Sequence, residues 1–409
     1  MPSTHDSSSD ATAADVPPPA LWPLAAAFAA VPDPRCRQGR RFTAAAMLTL
    51  ALAAMLANHL SPLAIAQWGA EQDDVSKRAM GFTKGITPHQ STFARLFRRL
   101  EPAVLSAVLT NHGAENTSAA PRVRGAAGIA IDGKAYRGML AFTPAPGCPV
   151  HALTACTHDR GTVLAQEEIV GDADKAEAEL TVAPRLLARL AWRGRVLTGD
   201  ALFCQRTLCR QVCAADGDYL LIVKENQPQM YRDIATLFAT RADAALRAAS
   251  LPAWDMREGA TEERGHGRHE QRRLTASTEL NDYLDWPGVG QVMRIERVWW
   301  ERGDRHAAVR YGITSLPPEV ADAARLLALV RGHWQIENGL HYVKDVTLGE
   351  DRSLIHKGNG PSIMAILRDT VVSVLHRAGW RTIAARLRYY SGHPKEVLAL
   401  LGIPVAENA

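Results

Sequence analysis

The chain has 409 residues, 47% of them apolar, so it can bury a sizeable core, and its length suits two or three domains. A formal net charge of +4 is compatible with a nucleic-acid partner but too mild to demand one. The six cysteines contain no CxxC pair, which argues against a zinc ribbon or a disulfide scaffold and for reduced thiols in the cytoplasm.

Residues 1–20, MPSTHDSSSDATAADVPPPA, lack a positive start and an apolar run, so they read as a disordered tail and not as a signal peptide. Residues 21–115 read as an all-helical N-terminal domain with a DNA-binding role. Its most apolar run, Phe42 to Leu60, is alanine-rich and interrupted by Asn58 and His59, which suits a buried helix and excludes a membrane span. Near its end Ser91 or Thr92 can cap a helix with an apolar stripe at Phe93, Leu96, Phe97 and Leu100. Arg95, Arg98 and Arg99 of that helix suit DNA phosphates and equally a solvated face.

The stretch NHGAENTSAAPRVRG reads as a linker. The pattern then changes to strands in GIAIDGKAYRG, HALTACTHDRG and GTVLAQEEIV. A helix from about Asp174 to Ala191 follows, then the strand RVLTGD, a helix through LFCQRTLCRQVCAA and the strand YLLIVKENQ. Hairpins followed by alternating strands and helices indicate an α/β fold with a mixed sheet, over residues 125–395. A β-rich insertion spans about 228–315, and a helical region carrying HWQIENGLHYVKDV closes the chain.

Asp132 and Asp200 each end an apolar strand, where a carboxylate projects into the open edge of a sheet. Glu337 lies on a helix with Trp334, Leu340 and His341 at three- and four-residue spacings, so that helix can pack beside the sheet. Carboxylates brought together without a basic partner repel unless cations hold them, and oxygen-only ligation suits magnesium or manganese, with two ions apt for phosphoryl transfer. Read singly, an aspartate at a strand end is a turn former or a cap, and a helical glutamate is a solvated group.

The ordered motifs DPRCRQGRRF, IDGKAYRG, LTGDALFCQ, YLLIVKENQP, ERGHGRHEQRR, HWQIENGLHYVKDVTLGEDRS and LRDTVVSVL decide between these readings. Together they resemble the DDE transposases of insertion sequences, specifically the H-repeat-associated, or ISAs-type, family. The resemblance implies an RNase H-like catalytic core with a β-rich insertion before the glutamate. It implies that Asp132, Asp200 and Glu337 are the catalytic metal ligands. It further implies double-stranded DNA partners, namely terminal inverted repeats and target DNA, action as a homo-oligomer, and a place in the bacterial cytoplasm at the nucleoid.

Related transposases carry a tyrosine, arginine, glutamate, lysine signature around the last carboxylate. Lys344, seven residues after Glu337, fits the lysine place, whereas Val330 and His333 stand where tyrosine and arginine would be. Lys134 and Asn226 are expected to hold the DNA backbone, with His333 and Lys344 as further auxiliary contacts. Asp345, Glu350 and Asp351 read as capping and ion-pairing groups. A metal-dependent nuclease on the same core, and a decayed transposase that only binds DNA, are the alternatives.

Overall fold

A computed structural model describes residues 24–38, 40–116, 123–140, 149–170, 175–242, 255–265 and 268–403. The expected tail, residues 1–20, lies outside the described residues. The chain opens with helices α1 (Leu24–Ala29), α2 (Ala44–Leu56), α3 (Pro62–Glu71), α4 (Asp74–Ala79), α5 (Gln90–Phe97) and α6 (Pro102–Asn116). The Thr43 side chain caps α2 by accepting from Ala46 N, and every residue of α2 but Ala45 is buried. An all-round apolar helix is what a bundle centre requires. Among the described residues no helix is long and apolar enough to cross a membrane.

Two local expectations change in this region. His89, and not Ser91 or Thr92, caps α5 through its ring nitrogen, while Phe93, Leu96 and Phe97 are buried as the stripe predicts. Helix α6 runs on through Asn111–Asn116, the first part of the expected linker.

Nine strands form one mixed sheet: β1 (Ala127–Ala135), β2 (Pro149–Thr157), β3 (Val163–Val170), β4 (Arg195–Gly199), β5 (Asp218–Val223), β6 (Arg257–Gly265), β7 (Arg268–Ser277), β8 (Gln291–Glu301) and β9 (Asp304–Thr314). Their spatial order is β3-β2-β1-β4-β5-β9-β8-β7-β6. β1, β4 and β5 are parallel to one another, and the remaining neighbours are antiparallel. The helices that complete the chain are α7 (Arg137–Leu140), α8 (Lys175–Ala188), α9 (Arg206–Ala214), α10 (Pro228–Ala242), α11 (Ala323–Gly332), α12 (Gly360–Arg377), α13 (Ile383–Ser391) and α14 (Pro394–Leu400).

The stretch expected as a largely β insertion begins with α10. Its strands β6 to β9 do not stand apart either: β9 pairs with β5, so they extend the central sheet.

Strand alternation sorts the core. Ile129 and Ile131 of β1 pack with Leu197, Val182 and Leu186 on the α8 and α9 side. Ala130 faces the other way, into a cluster with Ile336, Leu340 and the buried side of α12. That cluster also contains the buried residues of α1, α2, α3 and α5 and of α13 and α14, so the N-terminal and C-terminal helices share one hydrophobic core.

Candidate active site

Strands β1 and β4 run parallel in the register Ala127↔Arg195 to Ala130↔Thr198. Two residues beyond the last pair of this register stand Asp132, still within β1, and Asp200, one residue past the end of β4. Adjacent strands lie about 4.8 Å apart, so this register alone sets the two carboxylates side by side. The glycine after Asp132 has a steric cause: a Cβ on Gly133 would stand 2.1 Å from Glu179 Oε1. Asp200 caps the 3-10 turn Ala201–Phe203, its Oδ1 accepting from Leu202 N at 3.0 Å. Asn226 braces the same turn by donating Nδ2 to Ala201 O at 2.6 Å, and Gln227 Nε2 donates to Cys204 O at 3.0 Å. The side-chain amide of Asn226 is thus bonded to the loop that holds Asp200.

The helix expected to carry Glu337 is interrupted. After α11 the backbone widens into π-helical turns over Ile336–His341 and Val343–Thr347. Such turns occur often at functional sites, because the extra residue per turn re-aims side chains. Here Ile336 and Leu340 stay buried while Glu337 is exposed. Burial, followed by the charge of Asp132, pushes the Glu337 carboxyl above its ordinary value; Asp200 adds to this, and His341 and Arg310 oppose it. Both aspartates therefore lie within electrostatic reach of Glu337.

Two histidines line this cluster. His341 Nδ1 lies 3.4 Å from Asp132 Oδ2. Burial opposes ionisation of Asp132, but the His341 contact and the nearby His341 and His333 rings outweigh it and hold the carboxyl below its ordinary value. His333 sits at the C-terminal end of α11, its Nδ1 3.3 Å from Thr198 Oγ1. Thr198 Oγ1 also meets His158 Nε2 at 2.8 Å. Burial first, and repulsion from Arg310 and His341, lower the His333 pKa against the pull of Asp132 and Asp200.

His333 was a candidate from sequence and His341 stood at a four-residue spacing from Glu337 without an assigned role, whereas Arg310 near Glu337 and His158 on the far side of Thr198 were not foreseen. His341 was detectable four residues after Glu337. His158 and Arg310 arrive from distant strands and leave no local signal.

Lys134 and Lys344 require a correction. Lys134 is 8% exposed and Lys344 2% exposed. Lys134 Nζ lies 2.6 Å from Asp345 Oδ1, 3.2 Å from Glu350 Oε2 and 3.6 Å from Asp351 Oδ1. Lys344 Nζ lies 2.8 Å from Asp369 Oδ1 and 3.6 Å from Glu350 Oε1, and Arg368 Nη1 approaches Glu350 at 3.8 Å. Both ammonium groups are enclosed by carboxylates, so neither is presented to a DNA phosphate. What they join is β1, two residues beyond Asp132, to the π-helical segment that follows Glu337 and to α12.

The donor set of Asp132, Asp200 and Glu337 is carboxylate oxygen throughout, the chemistry that hard divalent cations prefer. The mutual repulsion felt by Glu337 is what a cation would relieve. In these respects the residues fit a divalent ion. Among the described residues no three such side chains close around a common point, so the carboxylates form a rim and not a finished cage. The half-buried Cys213 and the buried Cys204 and Cys209 are free thiols, as expected of core cysteines.

Comparison with known proteins gives the same direction. The family "Transposase DDE domain" matches residues 146–375, which take in Asp200 and Glu337 and start downstream of Asp132. The family "DDE_Tnp_1-associated" matches residues 25–112. The chain is 26% identical over 352 residues to "Putative transposase YncI" of Escherichia coli O157:H7, covering 84% of this chain and 85% of that protein. It is 26% identical over 324 residues to "H repeat-associated putative transposase YhhI" of Escherichia coli (strain K12), covering 76% and 79%. With more than half of its length matched by the catalytic family, the chain belongs to the DDE transposases, among the H repeat-associated group.

Proposed function

We propose that the protein cuts DNA at the ends of its own mobile element and joins the freed ends to target DNA, with Asp132, Asp200 and Glu337 as the catalytic carboxylates on an RNase H-like core. What supports this reading is the parallel register of β1 and β4, which brings Asp132 and Asp200 to neighbouring strands, with Glu337 within electrostatic reach of both. Residues 21–115 and the strands β6 to β9 are proposed to read the DNA ends, residues 125–395 to form the catalytic domain, and the enzyme to pair two ends as a homo-oligomer.

In this reading Asp132 from within β1, Asp200 from the end of β4 and Glu337 from the π-helical turn would hold magnesium or manganese. When bound, such ions polarise the phosphoryl oxygens and acidify the attacking water or 3′ hydroxyl. The protein's own part is positional. His341 fixes one oxygen of Asp132, Leu202 N–H fixes one oxygen of Asp200, and the exposed Arg310 offers a cation beside Glu337 for the DNA backbone.

The test is cleavage and joining of a duplex carrying the element's own end, with magnesium or manganese, by the native protein and by Asp132→Asn, Asp200→Asn and Glu337→Gln. Loss of both steps in each variant, with end binding kept, is the expected result. Cutting without joining by the native protein would make it a nuclease, and end binding with no cutting would make it a binding protein only.

A further inference from the structure

A second feature lies at the opposite ends of the same two strands. A cavity of about 510 Å³ opens where β1 and β4 begin, walled by Ala127, Ile129, Leu164 and Leu329 and reached by His158. Gly128 is about 13 Å along β1 from Asp132, at roughly 3.3 Å per residue, so the cavity is distinct from the carboxylate rim.

Its charge is one-sided. Arg160, Arg195, Arg325 and Arg377 line it, against the single carboxylate of Asp159. Asp159 is 73% exposed and meets Arg160 only at 3.9 Å. Arg195 gives Nη1 to Ala191 O at 3.0 Å, and Arg325 gives Nε and Nη2 to Gly125 O and Nη2 to Ala126 O. Among the described residues neither of these two guanidinium groups meets a carboxylate, which leaves Nε and Nη2 of Arg195 and Nη1 of Arg325 as donors for a ligand. Arg160 and Arg377 are near enough to repel each other, and burial together with this repulsion lowers the Arg377 pKa. His158 stays neutral, its pKa lowered to about 3 by burial and by His333 and Arg325, so it adds no charge.

We infer that this cavity is a phosphate-binding site, in which Arg160, Arg195 and Arg325 grip the phosphate of a nucleotide unit whose apolar part rests on the half-buried Ala127 and Leu164. Guanidinium groups that line one cavity, two of them without a carboxylate partner and the third with only the exposed Asp159 at 3.9 Å, are an arrangement suited to planar, bidentate phosphate contacts. An apolar wall beside them suits a base or sugar and distinguishes the site from one for a bare anion. The phosphate can come from a free nucleotide or from a DNA strand, and only the second source rests on the transposase reading. His158 ties the site to the carboxylates through Thr198 and His333, so a strand held here and a strand held at Asp132 would lie against the two ends of one pair of strands.

The test uses the full-length protein. Binding of deoxyadenosine monophosphate is measured by titration calorimetry, and binding of a labelled duplex by fluorescence anisotropy over a range of salt. The variants are Arg160→Glu, whose side chain is 59% exposed and carries little of the fold, and Arg195→Gln. If the site takes a free nucleotide, the native protein binds the monophosphate and each variant weakens it about tenfold or more. If it takes a strand, the monophosphate binds poorly, duplex affinity falls in each variant, and the salt slope drops by about one per arginine removed. Unchanged binding of both ligands by variants that melt like the native protein overturns the proposal, and Arg160→Glu decides alone if Arg195→Gln does not fold. A native protein that neither cuts nor joins would sink the transposase reading and leave both binding arms readable.

Discussion

Replacing Lys344 by methionine separates a lysine that touches DNA from one that holds the fold. The side chain is 2% exposed, with Asp369 at 2.8 Å and Glu350 at 3.6 Å. Burial opposes its charge, but these two carboxylates outweigh burial and raise its pKa, so Lys344 stays charged, while burial raises the Asp369 carboxyl against the pull of Lys344. Methionine fills a similar volume but leaves Asp369, 3% exposed, and Glu350, 4% exposed, with one cation fewer. Breaking a buried pair from one side costs about 3–5 kcal/mol. Spread over a chain of this size, that lowers the melting temperature by about 4–6 °C. The assay is calorimetric or urea unfolding of native, Lys344→Met, and the double variant Lys344→Met with Asp369→Leu, which removes the stranded charge and is expected to regain part of the loss. End binding by the folded fraction of Lys344→Met should match the native protein. A melting temperature unchanged within about 1 °C, combined with a fall in DNA affinity, would refute the buried network and restore the direct contact expected from sequence.

Three further outcomes follow from the geometry. Asp200→Asn keeps an oxygen for Leu202 N and should melt like the native protein while losing cleavage, whereas Asp200→Ala should lose cleavage and about 1 kcal/mol of stability; equal melting of the two would rule out the cap. Burial, with Glu101 and Glu167 nearby, pushes the Glu168 carboxyl up to about 7 from 4.5, so its neutral form is the one the fold tolerates. Its stabilisation is present below pH 4.5 and lost as pH rises through about 7. Glu168→Gln should therefore remove a fall on the order of 3 kcal/mol between those values, read from urea midpoints at each pH; an unaltered pH profile in the variant would refute this. A Cβ on Gly332 would stand 2.2 Å from His158 Nδ1, so Gly332→Ala should displace that ring and cost about 1–3 kcal/mol, and a variant as stable as the native protein would mean that the ring moves freely.

Much of the site was legible because its parts are local. An apolar run that stops at aspartate marks the end of β4, whereas β1 continues through Asp132 to Ala135 because β2 pairs along it, and the seven ordered motifs named both aspartates and Glu337 as candidates together with the family. The change from helical to strand periodicity after Asn116 likewise follows from the residues on either side. Less visible was the way in which the elements meet. Nothing in TGDA or IDGK gives the register that sets Asp132 beside Asp200, because register is fixed by pairing between segments more than sixty residues apart.

The same distinction accounts for the corrections. A lysine seven residues after Glu337 looks like a DNA contact as long as its surroundings are taken to be solvent. Lys344 is instead enclosed because Asp369 on α12 and Glu350 pack over it, and neither position can be inferred from its neighbours in the chain. Helical spacing puts Trp334 and Leu340 on a packing face; Leu340 is buried, but Trp334 is 39% exposed, and the π-helical turn that carries Glu337 leaves no signal in that spacing. By itself, then, the sequence determined the identity of the chemical groups, the elements that carry them and the family. Tertiary structure alone decided which carboxylates face one another, which lysines are buried and where the arginine-lined cavity opens, because distance, burial and charge environment are properties of contacts between remote segments.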